Sequence, residues 1–355
     1  MNNSRMELLS PTTPLPNSDA VWPAPLAYHA LWSGRLTDKH VTSIISCFRF
    51  CANRTDRSIT LWTDGETEGP MAAQVAPYAR VRRLKLEELA RGTPLANATR
   101  HKSAAFSTQN SRAKSYANEA RLLILLKYGG VWFDLDVLFL RPMDPLLVAY
   151  PRAFAYAWPH MPYPNNAVLF APRADDKTIL RTVAHLTAKK KGFSFQQARF
   201  TYNSPVPLLV LPSEWFDPAW VHGVDFCAFF KKSKADVEKV TFASFGGGVF
   251  TYHWHNCWDA KAEDGSPFAQ LAAQLRNPQD ALDFARTERV DFKMKFVRNE
   301  AWYGSSVGVE DLIALGGTVF LLMWLVFGAV WVWVMLLRPG ARPQREPKSA
   351  LLASE

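Results

Sequence analysis

"KYGGVWFDLDVLFL", residues 127–140, decides how the chain is read. Two glycines, Gly129 and Gly130, stop a helix, and the apolar run that follows holds two carboxylates, Asp134 and Asp136, one residue apart. In an extended segment, residues two apart face the same side, so both carboxylates can share one divalent cation while Leu135 packs inward. An unpaired buried pair is costly. Either it takes up a proton or a metal neutralises it, and oxygen ligands select hard ions such as magnesium or manganese. Asp-x-Asp is nonetheless a common spacing, and a pair capping a turn or bridged to Arg141 is the plainer alternative.

Working outward, "SRAKSYANEARLLILLKYGG" (111–130) reads as a helix on which Lys114, Asn118 and Arg121 form one polar face. An arginine there can bridge a phosphate or sugar hydroxyls. Further upstream, "AYHALWSG" (27–34) reads as a strand ending at a glycine. The "KHVTSIISCFRFCA" stretch is a helix with Val41, Ile44, Ile45 and Phe48 on one face. "SITLWTD" is a buried strand, and "RVRRLKLEEL" is a strand running into a helix. Strand and helix alternate, which predicts a largely parallel α/β sheet. Ligands bind such sheets beyond the carboxyl ends of the strands, where Asp64, Asp134 and Asp136 are expected. Past residue 150 the pattern loosens into Pro- and aromatic-rich segments, of which "YAWPHMPYPNN" (156–166) is either an acceptor-side loop or plain packing.

The 355 residues permit one large α/β unit, and 48% hydrophobic content with 13% aromatics fills a sizeable core. Residues 312–337, "LIALGGTVFLLMWLVFGAVWVWVMLL", hold no charge and reach roughly 39 Å as a helix, enough to cross a bilayer. The expected organisation is a disordered Pro-rich N-terminus (1–25), a catalytic domain (26–305), a connector (306–311), a transmembrane helix (312–337) and a basic disordered tail (338–355). Localisation is then single-pass in a membrane through the C-terminal helix, a Golgi or secretory membrane in a eukaryote. Arg338, Arg342, Arg345 and Lys348 favour a cytosolic tail, whereas a lone C-terminal anchor usually leaves the N-terminal domain cytosolic. The net charge of +9 suits an anionic ligand or an acidic membrane surface, but the basic clusters are not interleaved with aromatics, so nucleic acid is not expected as a partner. Cys47, Cys51, Cys227 and Cys257 form no Cys-x-x-Cys pair, and neither a zinc ribbon nor an oxidising compartment follows from their spacing.

"YANEARLLILLKYGGVWFDLDVLFLRPMDPLL" resembles the core of the DXD-containing sugar transferases of glycosyltransferase family 32. "YHALWSGRL" and "SITLWTD" are similar to that family's first two strands, "NNAVLFAP" (165–172) to the strand after the metal motif, and "HWHNCW" (253–258) to its closing segment. The resemblance spans roughly residues 26 to 260. It implies a GT-A type, Rossmann-like α/β fold and metal-dependent transfer of a sugar, with retention, from a nucleotide-sugar to a glycan, glycolipid or glycoprotein. Manganese or magnesium would be the ion; a UDP-sugar is favoured as donor, with a GDP-sugar possible. It also implies roles: Trp32 lines the base pocket, Arg121 contacts donor sugar or phosphate, Asp134 holds the ribose and sugar side, and Asp136 binds metal directly. His253 matches the family's histidine, Asn256 lies close to its other polar contact, and Trp258 closes over the diphosphate. The metal set is thus Asp134, Asp136, His253 and Asn256.

This chain departs from the pattern where Ala117 and Asn118 replace Ser-Asp, which puts sugar choice in question, and where Cys257 replaces Ser. A bound cation stabilises the diphosphate leaving group as charge develops, and in a retaining reaction that phosphate can itself take the acceptor's proton. Two alternatives remain: a non-catalytic, membrane-anchored sugar- or nucleotide-binding protein of the same fold, and a haloacid-dehalogenase-type phosphatase. The second fits poorly, because its Asp-x-Asp normally opens the domain.

Overall fold

Strands β2 (Leu26–Leu31), β3 (Arg57–Thr63) and β5 (Gly130–Phe133) are buried along nearly their whole length, as strands covered on both faces are. The computed structural model describes residues 6–9, 20–32, 34–63, 70–96, 111–158, 161–189, 193–196, 198–201, 203–218, 226–232, 248–255 and 257–277, all within one compact unit, Met1–Lys295. The eight-stranded sheet has the order β1-β9-β7-β8-β5-β2-β3-β4. Its other members are β1 (Glu7–Leu8), β4 (Arg80–Arg83), β7 (Phe154–Ala157), β8 (Asn165–Ala171) and β9 (Leu209–Pro212). Pairing is parallel except along β8, which runs antiparallel to both β5 and β7.

Alternation along the strands divides the core in two. Tyr28, Ala30, Ile59, Leu61, Val131 and Phe133 face α1 (Asp38–Cys47), which buries Val41, Ile44 and Ile45 against them. Leu31, Trp62, Trp132 and Leu169 point the other way, onto α4 (Ser111–Tyr128) and α6 (Lys177–Lys189). Helix α4 ends where expected. Gly129 has φ +65° and its amide donates to the carbonyl of Leu125 at 2.9 Å.

Four expectations are corrected. Asp134 and Asp136 are not on a strand: they lie on the turn between β5 and β6 (Val137–Phe139), closed by Val137 N donating to the Asp134 carbonyl at 3.0 Å. Neither binds Arg141, which lies over the Phe250 ring. The N-terminal 25 residues are not wholly irregular, because Glu7 and Leu8 pair in parallel with Leu209 and Val210 of β9. Finally, Cys227 and Cys257 form a disulfide with Cα atoms 5.6 Å apart, whereas Cys47 and Cys51 are free and buried. The apolar stretch 312–337, its flanks 306–311 and 338–355, Asp64, Asn256 and the Lys114 side chain lie outside the described residues; among the described residues no helix is long and apolar enough to cross a membrane.

Candidate active site

The sheet reverses its winding between β2 and β5, so the segments leaving their carboxyl ends diverge and open a crevice there. Trp32 follows β2 and the Asp134–Asp136 turn follows β5. Helix α1 fixes that turn from below: Ser43 Oγ donates to the Val137 carbonyl at 2.6 Å, and Phe139 N donates to Ser46 Oγ at 3.0 Å. A short antiparallel pair, β6 with β10 (Thr251–His253), sets His253 opposite Val137. His253 therefore stands beside Asp136.

The two carboxylates face different neighbours. Asp134 Oδ1 accepts from Trp132 Nε1 at 2.7 Å and lies 3.3 Å from Arg121 Nη2, while its side chain keeps 28% exposure. Loss of solvent pushes the Asp134 pKa up, the Arg121 charge opposes this, and Asp136 adds to the rise. Asp136 is buried, its Oδ2 3.3 Å from His253 Nε2, and Leu135 between them packs inward as expected. Arg121 also donates to the Asn166 carbonyl at 2.6 Å, with its guanidinium 5.5 Å from the Trp132 ring. Asn118, one turn earlier, accepts from Asn166 Nδ2 at 3.0 Å. The polar helix face thus points at the mouth of β8.

On the other side of His253 lies a group that spacing did not reveal. The carboxylate Oδ2 of Asp217 sits 2.7 Å from His255 Nε2 and 3.7 Å from His253 Nδ1, and it accepts from Trp158 Nε1 at 2.8 Å. Tyr156 Oη also meets His253 Nδ1, at 2.9 Å. Burial opposes charge on His253, but Asp136, and behind it Asp217 and Asp134, outweigh burial and hold its pKa at about 9. Burial and the charge of His253 push His255 down instead. His255 entered the sequence reading only inside the closing segment "HWHNCW". Asp217, in "EWFDPAW", carries no spacing signal at all.

Asp217, His253 and His255 offer ligand atoms all within 4.8 Å of one another, and Asp217 Oδ1 is buried without a hydrogen-bond partner among the described residues. With Asp136 across His253, this carboxylate and imidazole set fits a divalent transition ion better than an all-oxygen magnesium site. Asp134 is held by Arg121 and Trp132 and is not among the three residues that converge on this set.

The wall over the crevice is aromatic. Trp32 and Trp258 approach with ring centroids 4.9 Å apart, and His40 lies against both, at 3.9 and 4.9 Å. Lys39 Nζ ties the chain before Trp258 to α1, donating to the carbonyls of Cys257 and, at 3.0 Å, Trp258. The Cys227–Cys257 bond fastens the same segment from its other side, through the turn Phe226–Phe230.

No curated protein sequence matches the chain significantly. Among solved structures, PaToxG glycosyltransferase is similar at 13% identity, over 47% of this chain and 63% of that one, with a TM-score of 0.35. Mouse xyloside xylosyltransferase 1 is similar at 15% identity, covering 66% of this chain and 99% of that one, TM-score 0.38. The galactosyltransferase LgtC, solved with donor and acceptor sugar analogues, gives 14%, 73%, 100% and 0.38 for the same quantities. These are likenesses of outline. Residues 37–153, from the cap of α1 through the Asp134–Asp136 turn to the start of β7, match the family described as "Glycosyltransferase sugar-binding region containing DXD motif".

Proposed function

We propose that the protein moves a sugar, with retention of configuration, from a nucleotide-sugar, a UDP-sugar before a GDP-sugar, to a glycan, glycolipid or glycoprotein acceptor at a membrane, with a divalent metal, manganese before magnesium. The observation that carries this reading is the convergence of Asp136, His253 and Asp217 at the carboxyl end of β5, under an aromatic wall fit to cover a nucleotide. A metal bound there would neutralise charge on the departing diphosphate. The chain's own residues do the rest. Trp32 and Trp258 exclude water, Tyr156 and Asp217 orient His253, and Arg121 holds Asp134 towards the sugar side of the crevice.

The disulfide supports a domain on the oxidising side of the membrane. That agrees with the basic tail on the cytosolic side, with residues 312–337 as the anchor.

The test is a thermal titration of the full chain in detergent with UDP or GDP, each with manganese and with chelator. Occupancy at a hundred times Kd adds about 2.7 kcal/mol, a rise of roughly 5–10 °C for a domain of this size. The rise is expected with manganese and one nucleotide only, and Asp136→Asn is expected to abolish it. No rise with either nucleotide in folded protein would refute the reading.

A further inference from the structure

The ring of His40 is held in one tautomer by the backbone before it. Thr37, the N-cap of α1, directs its amide at His40 Nδ1 at 2.8 Å, and an amide N–H can only donate. Nδ1 is therefore the acceptor, and in the neutral ring the hydrogen resides on Nε2. That nitrogen is buried and has no hydrogen-bond partner among the described residues, although the residue is only 1% exposed. A buried donor left without an acceptor is costly, and native structures retain few of them, which points to a ligand as the acceptor of this one.

The surroundings narrow that acceptor's chemistry. Trp32 and Trp258 close over the ring, and the charged groups acting on it are Asp136 and Lys39. An uncharged donor beside a carboxylate contributes nothing to neutralising a cation but can hold an anion that the cation brings in. Asp136 is the carboxylate that the proposed function assigns to the metal.

We infer that His40 donates its Nε2 hydrogen to a phosphate oxygen of a bound nucleoside diphosphate, and so fixes the diphosphate beneath the two tryptophans. This rests on the functional reading above and adds a residue to it.

The experiment is calorimetry on the full chain with manganese, using UDP and GDP and, in parallel, uridine and guanosine. His40→Phe keeps a flat ring and removes the donor. It is expected to weaken the preferred diphosphate tenfold or more, while leaving the nucleoside unchanged. His40→Gln, which can accept from Thr37 and donate onward, is expected to recover part of the loss. Unchanged diphosphate affinity in a folded His40→Phe chain would overturn the assignment, as would an equal loss for the nucleoside. Where the variants fail to fold, nitrogen-15 spectra of the unaltered chain decide: the assignment requires His40 as the Nε2–H tautomer, with that signal displaced by the diphosphate and not by the nucleoside. If the unaltered chain binds neither diphosphate, the functional reading itself falls, and this contact with it.

Discussion

His29 shows how one side chain in this fold is committed to a protonation state. Trp62 Nε1 can only donate, so His29 Nδ1, 3.3 Å away, accepts, and Nε2 donates to the Gly129 carbonyl at 3.1 Å. Both ring nitrogens are used by the neutral form, and burial pushes the pKa down to about 4. His40, whose Nδ1 alone is bonded among the described residues, is also pushed down by burial, to about 3. For a histidine whose folded pKa lies below its unfolded value near 6.5, the unfolded chain takes up protons first as pH falls. Stability is therefore full above about pH 6.5 and declines as pH drops towards 4. The part due to His29 amounts to about 2–3 kcal/mol by pH 4. Urea midpoints between pH 7 and 4 are expected to fall accordingly, and the fall is expected to be shallower in His29→Gln.

At the scale of elements, the junction of α4 with β5 has the least freedom. Gly130 has φ +89°, and a Cβ there would meet the Ala27 carbonyl oxygen of the neighbouring strand at 2.1 Å. Gly92 has φ +79° with nothing within 4 Å. The two share a backbone strain and differ in the collision. Gly92→Ala is expected to cost about 1 kcal/mol, the strain alone, and Gly130→Ala at least about 2 kcal/mol more, since β2 and β5 must separate. Chemical denaturation of both variants checks the difference. The same junction aims β5 at the crevice, so Gly130→Ala is also expected to weaken nucleotide binding, while Gly92→Ala leaves it intact.

For the molecule as a whole, the described stretches between β9 and α7 (Pro267–Arg276), the last helix among the described residues, are tied together by the Cys227–Cys257 bond. The bond spans 30 residues, so its loss should release chain entropy worth about 3–4 kcal/mol. Cys227→Ser with Cys257→Ser is expected to lower stability by that order and to loosen Trp258, seen as a change in tryptophan emission. In the folded, oxidised chain a thiol reagent is expected to label little, because Cys47 and Cys51 are buried. Rapid labelling of Cys227 and Cys257 without reductant would argue against an oxidising compartment.

What the sequence determined by itself was local. The period of apolar residues in α1 and α4, the glycine stop and the buried runs of β2, β3 and β5 are properties of neighbouring residues, and each is present where its pattern placed it. That Arg121, Asp134 and Asp136 lie close together in the chain was equally legible, because one helix and the turn after the next strand supply all three. The tertiary structure decided whatever depends on residues far apart in the chain. Asp136 and His253 meet only because β10 pairs with β6, Asp217 reaches His255 from 38 positions away with no spacing to announce it, and Cys227 meets Cys257 across a separation of 30. It also placed the carboxylates on a turn rather than a strand, and gave them different partners, Arg121 for Asp134 and His253 for Asp136. The reason is physical: local order follows from short-range sterics and hydrophobic period, whereas a site assembled across a sheet follows from which strands pair, and pairing is selected by burial of the whole core.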